Sequence, residues 1–530
     1  MDVEILGDEM DIDGELDADI NQDEMSLGAK KEWNKLSNVY MIAKILSRYM
    51  FKYICHEDLK KLEKSCEFFS MLIRNYKMDN LYFDSRCCMK NVKNLSITID
   101  KYLRHDPSFY RDVKAIFLSS PNLLEFFDIF DTPSLTHIQF SFSFNGNIEN
   151  LPVSITHIRF GWNFNTKIKN LPPGLIEIKF GNDFNQRLYN IEGNAIFPKT
   201  LRLIHFGYNF NQEIGNNKMK FIPDGVEEII FGHLFDKSIG IKNLSLLPNN
   251  LLKCRLGGNF NREINYRNIS YIPNSVEYLV FGYHFNQMIE IKFSENLKYL
   301  FFGNTFNQPL KDMNGTSFLP NSLLTLKLNV GFKQDIDVPP NVQNLKIMGY
   351  AGKIKGIDDV KYLDLFGLSN KKLDFRESKV SRLSLPGDLD IPIDFLPSTL
   401  TFIRFGDRFN QRIGTLFKEC IKLEVIEFGF NFNQDVDGNL PESLLILEFG
   451  ERFNKEVKNL PGKIRRIRFG QNFDRSIDFL PDSIDELYLV MNEYQWKINR
   501  FPENLKKLRI PSKNRCMVNY PVDCIVDVRI

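Results

Sequence analysis

Ile158-Arg159-Phe160-Gly161-Trp162-Asn163-Phe164-Asn165 is followed one period later by Ile178-Lys179-Phe180-Gly181-Asn182-Asp183-Phe184-Asn185. The same phrase returns as Ile403-Arg404-Phe405-Gly406 with Phe409-Asn410, and as Ile467-Arg468-Phe469-Gly470 with Phe473-Asp474. Alternation of apolar and polar residues over the first three positions is a strand signal. A recurrence of roughly 20 to 26 residues marks a solenoid, because each turn is too small to bury its own apolar face and must share it with neighbours. The phrase therefore predicts a β-rich stack of short turns with a parallel sheet on one face.

Within a turn the roles are readable. Ile158 and Phe160 point to one side of the strand and His157 and Arg159 to the other. Gly161 is expected to allow a sharp corner or a positive φ. Phe164 returns to the interior, and Leu171-Pro172 sets the approach to the next strand. The Asn that follows each Phe (Asn145, Asn165, Asn185, Asn211, Asn261, Asn286, Asn307, Asn410, Asn433 and Asn454) is expected to satisfy backbone groups at the corner and to stack with its equivalents. Asp236 and Asp474 can take that place; Lys333 cannot, so its turn should be distorted.

Regular strands run from Ile138/Phe140 to Leu508/Ile510. They persist through the stretch that lacks the Phe-Asn pair, as Leu345/Ile347, Leu363/Leu365 and Leu383/Leu385. The organisation read from the chain is an acidic leader at 1–30, a helical unit at 38–76, irregular first turns at 81–132, the regular solenoid at 133–510 with degenerate turns at 338–395, and a C-terminal cap at 511–530. Eighteen regular strands at about 4.8 Å predict an elongated body on the order of 85 Å long.

The chain has 530 residues, 43% of them hydrophobic, and a net charge of +1 from 68 basic and 67 acidic residues. Eleven of those carboxylates lie in the first 24 residues, which hold no Lys or Arg; without them the remainder carries +12. Such a composition reads as a solvated leader. No long apolar run suggests a membrane span, and eight cysteines without a CxxC pair suit reduced thiols in an intracellular, cytoplasmic setting. His137 and His157 should be neighbours on adjacent strands, yet two imidazoles without a third ligand make a poor zinc site. No nucleophile motif, phosphate loop or HExxH points to an enzyme, and no cofactor is implied.

The outward strand positions are mostly polar, as a solvated face requires. The centre differs: Ile230, Tyr278, Val280, Tyr299 and Phe301 form an apolar group flanked by Arg255 and Lys327, which is expected to be an exposed partner-binding patch. A nucleic-acid reading is disfavoured, since these apolar residues interrupt the basic ones.

The Gly-x-x-Phe-Asn-Gln sequences at Gly207 to Gln212 and Gly406 to Gln411, with Leu-Pro stretches at Leu151 to Ile155 and Leu396 to Leu400, resemble the FNIP-repeat family of social amoebae and of large DNA viruses that infect amoebae. The resemblance covers roughly residues 133 to 510 and implies a leucine-rich-repeat-like fold. Members often place an F-box before the repeats. Ile45, Leu46, Tyr49, Met50, Tyr53, Ile54, Leu59 and Leu62 look like that pattern, although the usual opening Leu-Pro is missing. An F-box implies docking on a SKP1-like adaptor of a cullin ubiquitin ligase, with the repeats receiving an unknown protein substrate. The competing expectation is a solenoid that binds an anionic ligand or nucleic acid without any ligase link.

Overall fold

The computed structural model describes residues 82–83, 96–97, 115–118, 133–350, 354–367, 378–490, 496, 498–511 and 524–529. The leader at 1–30 and the helical unit at 38–76, with all eight adaptor-binding candidates from Ile45 to Leu62, lie outside the described residues. The chain divides into two units, Met1–His105 and Asp106–Ile530. In the first, Tyr82–Phe83 pairs in parallel with Ser96–Ile97.

The second unit is built on one parallel sheet of twenty strands. Each strand is only three or four residues long in most turns, and its middle residue is buried while its neighbours are not, as at His157–Arg159 and Tyr278–Val280. The eighteen expected outward positions fall in one register. Gln139 pairs with Arg159, Arg159 with Lys179, Lys179 with His205 and His205 with Ile230. The line continues through Val280, Phe301, Lys327 and Lys346 to Asp364, and ends with Tyr488 opposite Arg509. The turns at Leu345, Leu363 and Leu383, which lack the Phe-Asn pair, hold their places in the ladder with buried aliphatic residues.

Behind the sheet the core is two rows of phenylalanine rings. Phe140, Phe160, Phe180, Phe206 and Phe231 stack at centroid separations of 5.0 to 5.7 Å. Deeper in the turn, Phe144, Phe164, Phe184, Phe210, Phe235 and Phe260 stack at 6.0 to 6.1 Å. Adjacent strands lie about 4.8 Å apart. Spacing thus widens with distance from the strands, so every turn is a wedge and the stack must bend toward its sheet.

That wedge corrects the expected elongated body. The sheet closes on itself: the strand Ile525–Arg529 pairs with Lys507–Pro511 on one side and neighbours Ala115–Leu118 on the other, which pairs in turn with His137–Phe140. Twenty strands at about 4.8 Å make a loop on the order of 96 Å around and about 30 Å across, with the sheet on its inner wall. Of the stretch 511–530, expected as a cap, Ile525–Arg529 supplies the strand that closes the sheet. Of the first turns expected at 81–132, Ala115–Leu118 takes a place in this sheet, while Tyr82–Phe83 and Ser96–Ile97 pair with each other.

The corner glycines also have a different cause from the one expected. Gly161, Gly181, Gly207 and Gly282 do not have positive φ. A Cβ on any of them would collide with the backbone carbonyl of the residue one turn earlier: Ser141, Gly161, Gly181 and Gly257 respectively. They are required by close approach of successive turns.

Candidate partner-binding face

The asparagine row occupies the corner and is structural. Asn165 N donates to Asn145 Oδ1 at 2.8 Å, Asn185 N to Asn165 Oδ1 at 2.9 Å, and Asn211 N to Asn185 Oδ1 at 2.9 Å. Asp236 accepts from Asn261 N at 3.1 Å in the same manner. The glutamines of the repeat join in: Gln186 Nε2 donates to both oxygens of Asn165, at 2.9 and 3.0 Å. Lys333 does not distort its own turn, because only its N–H is needed, and that donates to Asn307 Oδ1 at 2.8 Å. The irregularity falls one turn on, where the pairing register shifts between Ile347 and Tyr350. The row resumes from Asp390, which accepts from Asn410 N at 2.9 Å. Sequence reading missed Asp390, since no Phe precedes it.

The inner wall carries the candidate site. The ladder pairs Ile230 with Arg255, Arg255 with Val280, Val280 with Phe301 and Phe301 with Lys327. One residue earlier, Tyr278 pairs with Tyr299. All seven expected residues are therefore on one continuous stretch of sheet. Their rings touch: Tyr278 lies 5.8 Å from Tyr299 and 5.4 Å from Phe301, both tilted by more than 40°. The apolar members are half-buried, not exposed as expected, because concave curvature and cross-strand ring contacts cover their flanks. Arg255 is exposed, and its guanidinium has no ion pair among the described residues.

Several other charges on this wall are answered locally, although Arg159, like Arg255, has no ion pair among the described residues. His205 Nε2 meets Glu228 Oε1 at 3.0 Å, and Lys253 reaches the same carboxylate at 3.5 Å. Burial lowers the His205 pKa, with Glu228 opposing that shift. Lys179 pairs with Glu177 at 2.9 Å, Lys346 with Asp364 at 3.2 Å, and Arg404 with Glu427. Burial raises the Asp364 pKa, with Lys346 pulling the other way. Burial raises that of Glu448, aided by Glu427 beside it. Interleaved pairs of this kind are unlike the continuous basic footprint of a nucleic-acid binder.

A second cluster was not anticipated. Tyr488 hydrogen-bonds Glu486 at 2.9 Å, and Arg466, Lys507 and Arg509 stand 6.0, 5.5 and 6.0 Å from its ring. The signal was present as basic residues on the two turns either side of Tyr488, but only the register shows that they surround one ring.

His137 and His157 are neighbours as expected, stacked at 4.1 Å, each bonded through Nδ1 to the preceding Thr. Among the described residues no three His, Cys, Asp or Glu side chains gather into a metal site. No helix among them is long and apolar enough to cross a membrane.

These features match known proteins in two ways. An FNIP repeat-containing protein of Dictyostelium discoideum is 30% identical over 168 residues, which is 28% of this chain; the match spans 46% of that relative's length. The crystal structure of CroV588, described as a circular leucine-rich-repeat protein, superposes with a TM-score of 0.56 at 26% identity, covering 79% of this chain and 73% of the other. The family model of the FNIP repeat matches four segments, 144–183, 191–234, 235–284 and 285–331. Within a leucine-rich-repeat-like solenoid with stacked Phe-Asn corners, residues 144–331 thus match the FNIP repeat in four segments.

Proposed function

We propose that this protein is a recognition scaffold that captures a partner protein on the inner wall of its sheet, through Ile230, Tyr278, Val280, Tyr299 and Phe301, with Arg255 and Lys327 at the margin. The observation that supports it is that Tyr278, Tyr299 and Phe301 bring three rings together on adjacent strands of this wall, beside Ile230 and Val280, whereas Phe402, Val425 and Ile446, apolar residues elsewhere on the wall, include a single ring. A solvated face gains nothing from such a cluster, whereas aromatic anchors in a partly desolvated setting are the usual core of a protein interface. The role is binding, with no residue assigned to catalysis. The finer proposal is that Ile45, Leu46, Tyr49, Met50, Tyr53, Ile54, Leu59 and Leu62 dock a SKP1-like adaptor and so link the captured protein to a cullin ubiquitin ligase. It rests on the residue pattern alone.

Two measurements test the two parts. Tyr299→Ser with Phe301→Ser should leave the far-UV circular dichroism unchanged and reduce co-purification of the cellular partner at least tenfold; undiminished capture by the folded double variant refutes the face. Pull-down of a SKP1-type adaptor should be lost on changing Ile45, Tyr49 and Leu59, and absence of adaptor binding by the unaltered chain refutes the ligase link while leaving the face intact.

A further inference from the structure

Closure restricts what can reach that face. A closed sheet offers no free edge, so a partner cannot be recognised by strand addition and must be held by side chains alone. The bore also limits size. About 30 Å between facing backbones, less about 6 Å of side chain on each side, leaves roughly 18 Å. An α-helix is about 10–12 Å wide and fits. A domain of 100 residues has a radius of gyration of about 13 Å, and does not.

The chemistry of the wall then selects the helix. Ile230, Val280, Tyr278, Tyr299 and Phe301 form the apolar surface that an apolar stripe requires. Arg255, without an ion pair among the described residues, lies in the ladder between Ile230 and Val280. Ten strands onward around the loop of twenty, and so across the bore, lie Tyr488 with Lys507 and Arg509 near its ring, and Arg466, which is paired with Glu486 at 2.7 Å; Asp527 stands opposite Arg509 in the ladder. We infer that the ring receives an acidic amphipathic α-helix with a free end, threaded through the bore with its apolar stripe on the Tyr278–Phe301 sector and its carboxylates toward Arg255 and the Tyr488 cluster. This deepens the function proposed above, on which it rests, by naming the form and charge of the partner.

The test uses the full chain and a labelled 24-residue peptide with Leu on one helical stripe, Glu elsewhere, and no Lys or Arg. Fluorescence anisotropy should show binding that weakens with salt, at least tenfold weaker in Arg255→Glu and in the Tyr299→Ser/Phe301→Ser variant, with the Glu-to-Lys version of the peptide not bound. Fusing a folded domain to one end of the peptide should preserve binding; fusing one to each end should abolish it. Equal binding of acidic and basic peptides, indifference to Arg255→Glu, or loading of the doubly blocked peptide at the rate and affinity of the singly blocked one each overturn the inference. If the peptide fails to bind while the Tyr299/Phe301 variant still loses its cellular partner, the threaded helix is wrong and the scaffold reading stands.

Discussion

Asn185→Ala isolates the asparagine row from the rest of the fold. In the folded chain Asn185 Oδ1 accepts from Asn211 N at 2.9 Å and from Gln212 Nε2 at 2.9 Å. Truncation to Ala leaves the Asn211 N–H, at a part-buried corner, without an acceptor. The Gln212 amide retains the Asn185 carbonyl at 3.1 Å, so its loss is small. The cost is then that of one orphaned buried donor, about 1–3 kcal/mol. Asn185→Asp keeps the oxygen, as Asp236 does naturally toward Asn261 N, and should be within about 0.5 kcal/mol of the parent. Hydrogen exchange at the Asn211 amide reads the effect locally, and the guanidinium midpoint reads it globally. Ala should accelerate exchange at Asn211 by about tenfold or more, since 1.4 kcal/mol is a factor of ten, while Asp leaves it slow. Equal behaviour of Ala and Asp would show that the side-chain oxygen is not what holds the corner.

Three more expectations follow from the same geometry. Gly450→Ala should destabilise by about 1–3 kcal/mol or more because its Cβ meets the Gly429 carbonyl, whereas Gly462→Ala, with open space around it, should be neutral or stabilising by about 0.4–1 kcal/mol, both read from denaturant midpoints. Cys254 and Cys420, whose thiols burial pushes up to about 12 and about 11, should resist alkylation at pH 8 until the chain is unfolded; labelling of either in the native protein would contradict their burial. Burial lowers the pKa values of His137, His205 and His233 below 6.5. The unfolded chain therefore binds protons first, so stability holds above about pH 6.5 and declines as pH falls below it toward the folded values. His205→Gln should flatten that decline, and an unchanged slope would remove His205 from the account.

What the sequence shows and what it hides divide along a physical line. Strand positions and core residues were legible because Ile158 and Phe160, or Leu363 and Leu365, alternate with polar neighbours at a fixed period, and the pairing register repeats that period. The asparagine row was legible for the same reason. Curvature was not, because it arises from the difference between strand spacing and ring stacking, which no single residue carries. Without curvature, the closing role of Ile525–Arg529 and the facing of the Tyr278 and Tyr488 clusters were beyond reach, and the candidate patch looked exposed when it is half-buried. The true role of Gly161 was hidden likewise, since the atom that demands a glycine belongs to the preceding turn.

The strands that complete the ring, Ala115–Leu118 and Ile525–Arg529, are separated by roughly four hundred residues, a span over which loop closure is entropically slow. During synthesis the early turns can pile up as they leave the ribosome, but the circle cannot finish until Ile525–Arg529 emerges. A helix of the kind proposed above could still enter sideways before that moment, so on that proposal the order of translation and capture decides whether a free end is needed at all.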